Sequence, residues 1–413
     1  MRTRDFGGFI CGFGLLLSLP SLAATDTAPY PSTYQPIAST GVILQNATVF
    51  DGIGGEFSQT DVYLLDGKIK AIGKDLPIPT GETVIDASGK WITPGIIDIH
   101  SHLGVYPSPS VGAHNDGNEV TSPITSEISS EHGVWPQDPG FNRARAGGVT
   151  SMLILPGSAN LFGGRGVVLK NVPSRTVQGM KFPGAPYALK MACGENPKRV
   201  YGQKGGPGSR MGNFSGYRKN WIKAQEYQAK WAKYEADLKT AEKEGKKLPS
   251  APARNLQLET LVGVLDGDIR VNMHCYRADE MAQVMDMSKE FGYKVTTFHH
   301  AIEAYKIADL LAKNDTCAAM WADWGGFKME AYDSIRENIP MIERANGCAI
   351  VHSDSDTGIQ RLYQEAAKAL ADGRKAGIDI SDAKAWTWLT SNPAKALGIA
   401  DQTGSLEAGK MLM

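Results

Sequence analysis

Eight short apolar runs, separated by longer and mostly helix-favouring stretches, limit what this chain can fold into more than any other feature. They are ITPGIIDI (92–99), VTSMLIL (149–155), GVVLK (166–170), YALKMAC (187–193), DIRVNMHC (268–275), YKVTTFH (293–299), CAAMWAD (317–323) and CAIVHSD (348–354). Strands that are apolar on both faces belong in a parallel sheet covered by helices. Eight of them predict an α/β fold, a parallel (β/α)8 barrel of the TIM type over residues 92–397. An open doubly wound sheet shows the same alternation, but no obvious glycine-rich phosphate loop accompanies it here.

Residues 24–91 have a different grain. GVILQNATVFDG, DVYLLDGKIKAIG and ETVIDASGKWI are short β segments broken by turns, and Asp66-Gly67 is a two-residue hairpin signal. They predict a small β-sandwich module ahead of the barrel. Residues 1–23 have the layout of a secretion signal. Arg2 and Arg4 precede an apolar stretch from Gly8 to Leu19, too short to span a bilayer, and Ser21-Leu22-Ala23-Ala24 supplies small residues for cleavage. The mature protein is therefore expected in the periplasm or outside the cell, without a stable membrane anchor.

Inside the barrel, 104–141 is a long Ser-, Pro- and Gly-rich loop after the first strand, where such barrels build their mouths. Residues 217–247 form a charged helical insertion in which Tyr227, Trp231, Tyr234 and Leu238 make one apolar stripe. That stripe would pack on the barrel or on a second subunit of a homo-oligomer. Ser381 is placed to N-cap the final helical run, 382–397. With 43 Lys and Arg against 44 Asp and Glu, the net charge is −1, so nothing electrostatic favours nucleic acid or an anionic membrane. A small-molecule or short-peptide substrate fits better. Cys11 leaves with the signal. Cys193, Cys275, Cys317 and Cys348 lie in or beside strand-like runs, widely spaced, and are expected as buried free thiols.

The chemistry gathers at strand ends. His100 and His102 close a fully apolar strand, and alternate side chains point the same way, so both imidazoles project from its C-terminal end. Such a pair suits one divalent metal ion. His274, the pair His299 and His300, and Asp354 end later strands of the same barrel face. A lone strand-end histidine is ordinarily structural; a set of them with an aspartate at one rim is not explained that way. His114 and His132 sit in the long first loop and read as solvated. Ser158, Asn160 and Arg165 offer a grip for a substrate carboxylate, Arg165 in bidentate fashion. Tyr276, Arg277, Trp324 and Lys328, just past strand ends, either line the pocket or serve packing and surface ion pairs.

PGIIDIHSHLG, NMHCYRADE, FHHAIEAYK and IVHSDS resemble, in order, the metal-site motifs of the amidohydrolase superfamily in its imidazolonepropionase-like branch. RARAGGVTSMLILPGSANLFGGRG, LTSNPAKALGI and GSLEAGK match as well, so the likeness covers almost all of the mature chain. The resemblance implies one or two divalent ions, zinc being the expected metal. It implies that His100, His102 and His274 are ligands, and that Asp354 is both ligand and proton shuttle. His300, which precedes AIEAYK, is the implied sixth-strand ligand, with His299 on the opposite strand face. Lys190 resembles the lysine that some relatives carboxylate to bridge two metals, and Glu195 is the alternative bridge. The implied reaction is hydrolysis of a C–N amide bond by metal-activated hydroxide, with Asp354 and His300 as the catalytic pair. Dipeptides, N-acyl amino acids and cyclic amides are the implied substrates. Related deaminases carry a Glu three residues after the fifth-strand histidine, where this chain has Arg277, which argues against deamination. Residues 398–413 begin a return to the β module and stop short of the strands the family continues into. A truncated, unstable or catalytically impaired homologue, acting at most as a binding protein, is therefore the competing reading.

Overall fold

The computed structural model describes residues 30–36 and 38–411, so the expected secretion signal lies outside the described residues. The N-terminal module is a five-stranded sheet of β1 (Val42–Phe50), β2 (Glu56–Leu65), β3 (Lys68–Gly73), β4 (Thr83–Asp86) and β5 (Trp91–Ile92). Its order is β3-β2-β1-β4, with β5 beside β1. Asp66 and Gly67 take φ of 51° and 69°, the left-handed twist that a two-residue hairpin requires, and join β2 to β3. Ala47, Val49, Val62 and Ala87 form its small core, and Leu406 packs against it. The chain end returns here: the Leu406 N–H donates to Asp51 O at 2.8 Å, and Met411 bridges Lys68.

The second sheet has eight strands in sequence order: β6 (Ile96–Ser101), β7 (Val149–Ile154), β8 (Phe162–Lys170), β9 (Ala188–Ala192), β10 (Arg270–Cys275), β11 (Val295–His300), β12 (Cys317–Met320) and β13 (Ala349–Val351). Its two edges meet just past β13, where the Asp354 N–H donates to His100 O at 3.0 Å and the Ser353 N–H to Asp98 Oδ1 at 3.2 Å. The result is a TIM-type barrel. Asp98 is fully buried at this seam, and burial pushes its carboxyl up to about 7 against the opposing hydrogen bonds from Ser353 and the His100 N–H.

One strand breaks the all-parallel expectation. β8 runs antiparallel to both β7 and β9. A helical crossover between parallel strands needs about a dozen residues or more, and the link 155–161 is too short for one, so the chain turns straight back. The cysteines also differ from the free thiols expected. Cys193 is bonded to Cys275 and Cys317 to Cys348, with Cα separations of 5.2 and 4.5 Å. Each pair is distant in sequence, yet β9 lies beside β10 and β12 beside β13, and that adjacency is what sequence spacing conceals.

The helical insertion starts earlier than expected, at Arg210, and runs to Glu244. Ser209 caps it by accepting from the Gly212 N–H at 3.1 Å, and Gly245 ends it with φ 63°. Its buried side is Tyr217, Trp221, Ala224 and Tyr227. Trp221 stacks on Tyr293 at 4.3 Å and meets Phe162 edge-on at 5.3 Å, fastening the helix to the barrel. Trp231, Tyr234 and Leu238, farther along, are only half-buried. Ser381 does cap, accepting from the Lys384 N–H at 3.1 Å, but its run breaks into helices Asp382–Trp386 and Ser391–Leu397 around a 3-10 turn. Among the described residues no helix is long and apolar enough to cross a membrane.

Candidate active site

β6 ends in the first pair of donors. His102 Nδ1–H donates to Leu155 O at 2.8 Å, which leaves Nε2 with its lone pair, 3.3 Å from His100 Nε2. The orientation of His100 is fixed from behind by a chain of hydrogen bonds. Asn272 Nδ2 donates to Arg270 O at 3.2 Å, so its Oδ1 is the atom that accepts from His299 Nε2–H at 2.8 Å. His299 Nδ1 must then be an acceptor, and His100 Nδ1–H donates to it across 2.9 Å. His100 Nε2 is thereby left bare, facing His102.

Asp354 and His300 reach the same point by leaving strand geometry. Their φ values are 48° and 69°, in the left-handed region that side chains rarely occupy. Asp354 Oδ1 lies 3.3 Å from His102 Nε2 and 3.5 Å from His100 Nε2, and Oδ2 lies 3.8 Å from His300 Nδ1. This corrects the expected division of the sixth-strand pair. His299 does not face away from the site but packs against His100 inside the barrel, and positive φ swings His300 round to the same centre. His274, at the end of β10, has its ring centroid 4.6 Å from that of His300. Lys190 on β9 is fully buried, with Nζ 3.4 Å from His100 Nε2 and 3.2 Å from Pro156 O.

Burial dominates the electrostatics. It pushes the imidazoles of His100, His274, His299 and His300 well below their ordinary value and His352 to about 3, with Lys190 adding to each shift. It lowers the Lys190 ammonium to about 7. Burial alone would raise the Asp354 carboxyl, but the surrounding His102, His352 and Lys190 outweigh it and hold the group below the usual carboxylate range. Neutral imidazoles and an ionised carboxylate are the protonation states that bind a cation.

His100, His102 and Asp354 offer ligand atoms within 4.8 Å of one another, and so do His100, His300 and His352. Nδ1 of His274, of His300 and of His352 is buried without a hydrogen-bond partner among the described residues. His300 Nδ1 lies 3.8 Å from Asp354 Oδ2, and a buried, unpaired nitrogen beside that carboxylate and the His100–His102 pair fits a divalent cation. His352 was overlooked in the sequence. The signal was present, since it stands two residues before Asp354 and strand alternation would turn both the same way.

Other expected site residues fall elsewhere. Glu195 opens the helix Glu195–Tyr201 and pairs with Lys328 Nζ at 3.1 Å. Lys328 also donates to Asn196 Oδ1 at 3.3 Å, and Asn196 Nδ2 stands 3.3 Å from His274 Nε2. Tyr276 does adjoin the site, its ring 4.7 Å from His274 and 5.5 Å from His300. Arg277 lies near the surface, held by both oxygens of Asp279 at 2.9 and 2.8 Å, rather than in a substrate pocket. Arg165 also departs from the substrate grip expected of it. Gly164 registers with Lys190 and Arg165 with Leu189, so its side chain is on the sheet face opposite that of Lys190. There Nε donates to Thr260 Oγ1 at 2.8 Å, tying the barrel wall to the helix Leu256–Leu265. Asn160 holds the first loop, donating to Glu119 O at 2.8 Å and Ser122 O at 2.9 Å. His114 rests against Trp135 and His132 beside Glu131, both exposed.

The amidohydrolase family model matches residues 91–411. Amidohydrolase tasK of Hapsidospora irregularis is 31% identical over 379 residues, which are 87% of this chain but 38% of that protein. A dihydroorotase of a Thermoanaerobacter species is 45% identical over 62 residues, 15% of this chain and 14% of its own length. The chain thus spans well under half the length of the first of these curated relatives. An amidohydrolase from Thermotoga maritima, known from its crystal structure, superimposes with a TM-score of 0.77 at 34% identity, covering 90% of this chain and 92% of that one.

Proposed function

We propose that this chain, which belongs to the amidohydrolase family, is a metal-dependent hydrolase that cleaves the C–N bond of a dipeptide, an N-acyl amino acid or a cyclic amide. The observation that carries the reading is the convergence of His100, His102 and Asp354 within 4.8 Å, with His300 across from them. A divalent ion held there would polarise the amide carbonyl and bring the pKa of water towards neutrality. Asp354 and His102 line one cavity, where an attacking water would stand. The Asp354 carboxylate takes the proton of that water and delivers it to the leaving nitrogen, so that the C–N bond opens to an acid and an amine. His300 would hold a second ion or steady the oxygen on which charge develops.

Lys190 is the better bridging group of the two considered, because Glu195 is occupied by Lys328. An amine lowered to about 7 is about half neutral near that pH. It can add to carbon dioxide with loss of a proton, giving an anionic carbamate oxygen beside His100. A cavity of about 310 Å³ lined by His102, Tyr106, Trp324, Asp354 and Asp356 leaves room for a small substrate. The two disulfides support export to an oxidising compartment.

Metal analysis of protein purified without added zinc, followed by a panel of dipeptides, N-acyl amino acids and cyclic amides, tests the reading. At least one ion per chain is expected, with amide turnover that chelation or Asp354→Asn abolishes. Substoichiometric metal with no metal-dependent turnover on any amide would overturn it.

A further inference from the structure

With Arg165 turned to the outside of the barrel, a substrate carboxylate needs another partner. A second cavity, of about 140 Å³, opens on the other side of the site and is lined by His300, Trp321, Trp324, Ser334, Arg336 and Asn338 among others. Its polar groups are mostly spoken for. Asp323 takes Lys368 at 2.9 Å, and the Asn338 amide donates to Ala301 O at 3.0 Å and Ile302 O at 3.1 Å. Arg336 is different: it is exposed, lines the cavity, and has no ion pair or hydrogen bond among the described residues.

Trp324 lines both this cavity and the one containing Asp354, so the two are neighbours across one indole. Trp321 continues that wall, stacked on His300 at 4.4 Å and 5.5 Å from Trp324. The cavity at Asp354 also contains Asp356, so a free carboxylate there meets two like charges. A guanidinium on the far side of the indole is where such an anion is favoured.

We propose that Arg336 grips the carboxylate of the substrate's amine half and that Trp324 and Trp321 hold an aromatic side chain on it. The substrate class is then an N-acyl amino acid or dipeptide ending in an aromatic residue, an inference that rests on the amide-hydrolase reading above. The test titrates L-phenylalanine and 2-phenylethylamine, amine halves with and without the carboxylate, into zinc-loaded enzyme by calorimetry. L-phenylalanine binds the tighter of the two. Arg336→Ala weakens L-phenylalanine by about tenfold to a hundredfold, the range for a hydrogen-bonded charge pair, and leaves 2-phenylethylamine unchanged. Arg336→Lys keeps part of the preference, and Trp324→Ala weakens both compounds.

Equal affinity for the two compounds, no binding of either, or the same loss for both in Arg336→Ala overturns the inference. Turnover of N-acetyl-2-phenylethylamine as fast as N-acetyl-L-phenylalanine would also overturn it, while leaving amide hydrolysis standing. Absence of metal-dependent turnover on every amide instead removes the parent reading.

Discussion

Asn272 touches no proposed ligand, yet Asn272→Leu should weaken metal binding. The side chains are similar in size, so the barrel interior stays filled. What is lost is the acceptor for His299 Nε2–H, now 2.8 Å from Asn272 Oδ1. His299 is then free to carry its proton on Nδ1, the atom that accepts from His100 across 2.9 Å. In that state His100 loses its hydrogen bond and no longer has to present a bare Nε2. Removing such a supporting contact costs roughly tenfold to a hundredfold in metal affinity, or about 1.4–2.8 kcal/mol. Asn272→Asp keeps an acceptor oxygen at the same place and should retain most of the affinity. Zinc dissociation constants measured by competition with a chromophoric chelator separate the cases. An unchanged constant in Asn272→Leu, or an equal loss in Asn272→Asp, would refute the tautomer argument. A thermal melt on the same proteins guards against general destabilisation, which one buried hydrogen bond limits to about 1–3 kcal/mol.

Two further outcomes concern stability. Burial lowers the Lys170 ammonium from 10.5 to about 8, so the folded state holds this proton less tightly than the unfolded chain does. Stability should therefore rise with pH between about 8 and 10.5, by at most about 3 kcal/mol from this group. Melting curves across that range should show a shallower rise in Lys170→Met, and an identical slope would contradict the assignment. Replacing both Cys317 and Cys348 by Ser should cost about 2–4 kcal/mol and lower the melting temperature, as should a reductant on the parent protein. A melt insensitive to both would mean that the bond contributes nothing.

The barrel and the placing of histidines and an aspartate at its strand ends were readable in the sequence because both rest on local regularity. Apolar runs mark strands, and period-two alternation puts His100 beside His102. The direction of β8 was not readable from its own residues, since an apolar run carries no sense of direction. Only the length of the preceding link does, and the expected strand began at 166 where the actual one begins at Phe162. The disulfides escaped because strand adjacency is a tertiary fact. Arg165 misled for a similar reason: its chemistry suits a carboxylate, but register with Leu189 decides which side of the wall it occupies. His299 and His300 show a limit of alternation itself. It assigns neighbours to opposite faces, and a single positive φ at His300 cancels the rule. Arg336 sits in an irregular loop with no periodic pattern to single it out.

The tight reversal between β7 and β8 has a consequence for how this scaffold tolerates change. Leu155 O and Pro156 O, at its first two positions, anchor His102 and Lys190 respectively. Most rim loops of such a barrel can be swapped or lengthened to alter specificity while the chemistry is left alone. Residues 155–161 lack that freedom, because one inserted residue would drag two reactive side chains out of alignment together. Libraries built on this scaffold should leave that corner at its present length and draw their variation from the segments around Trp324 and Tyr106.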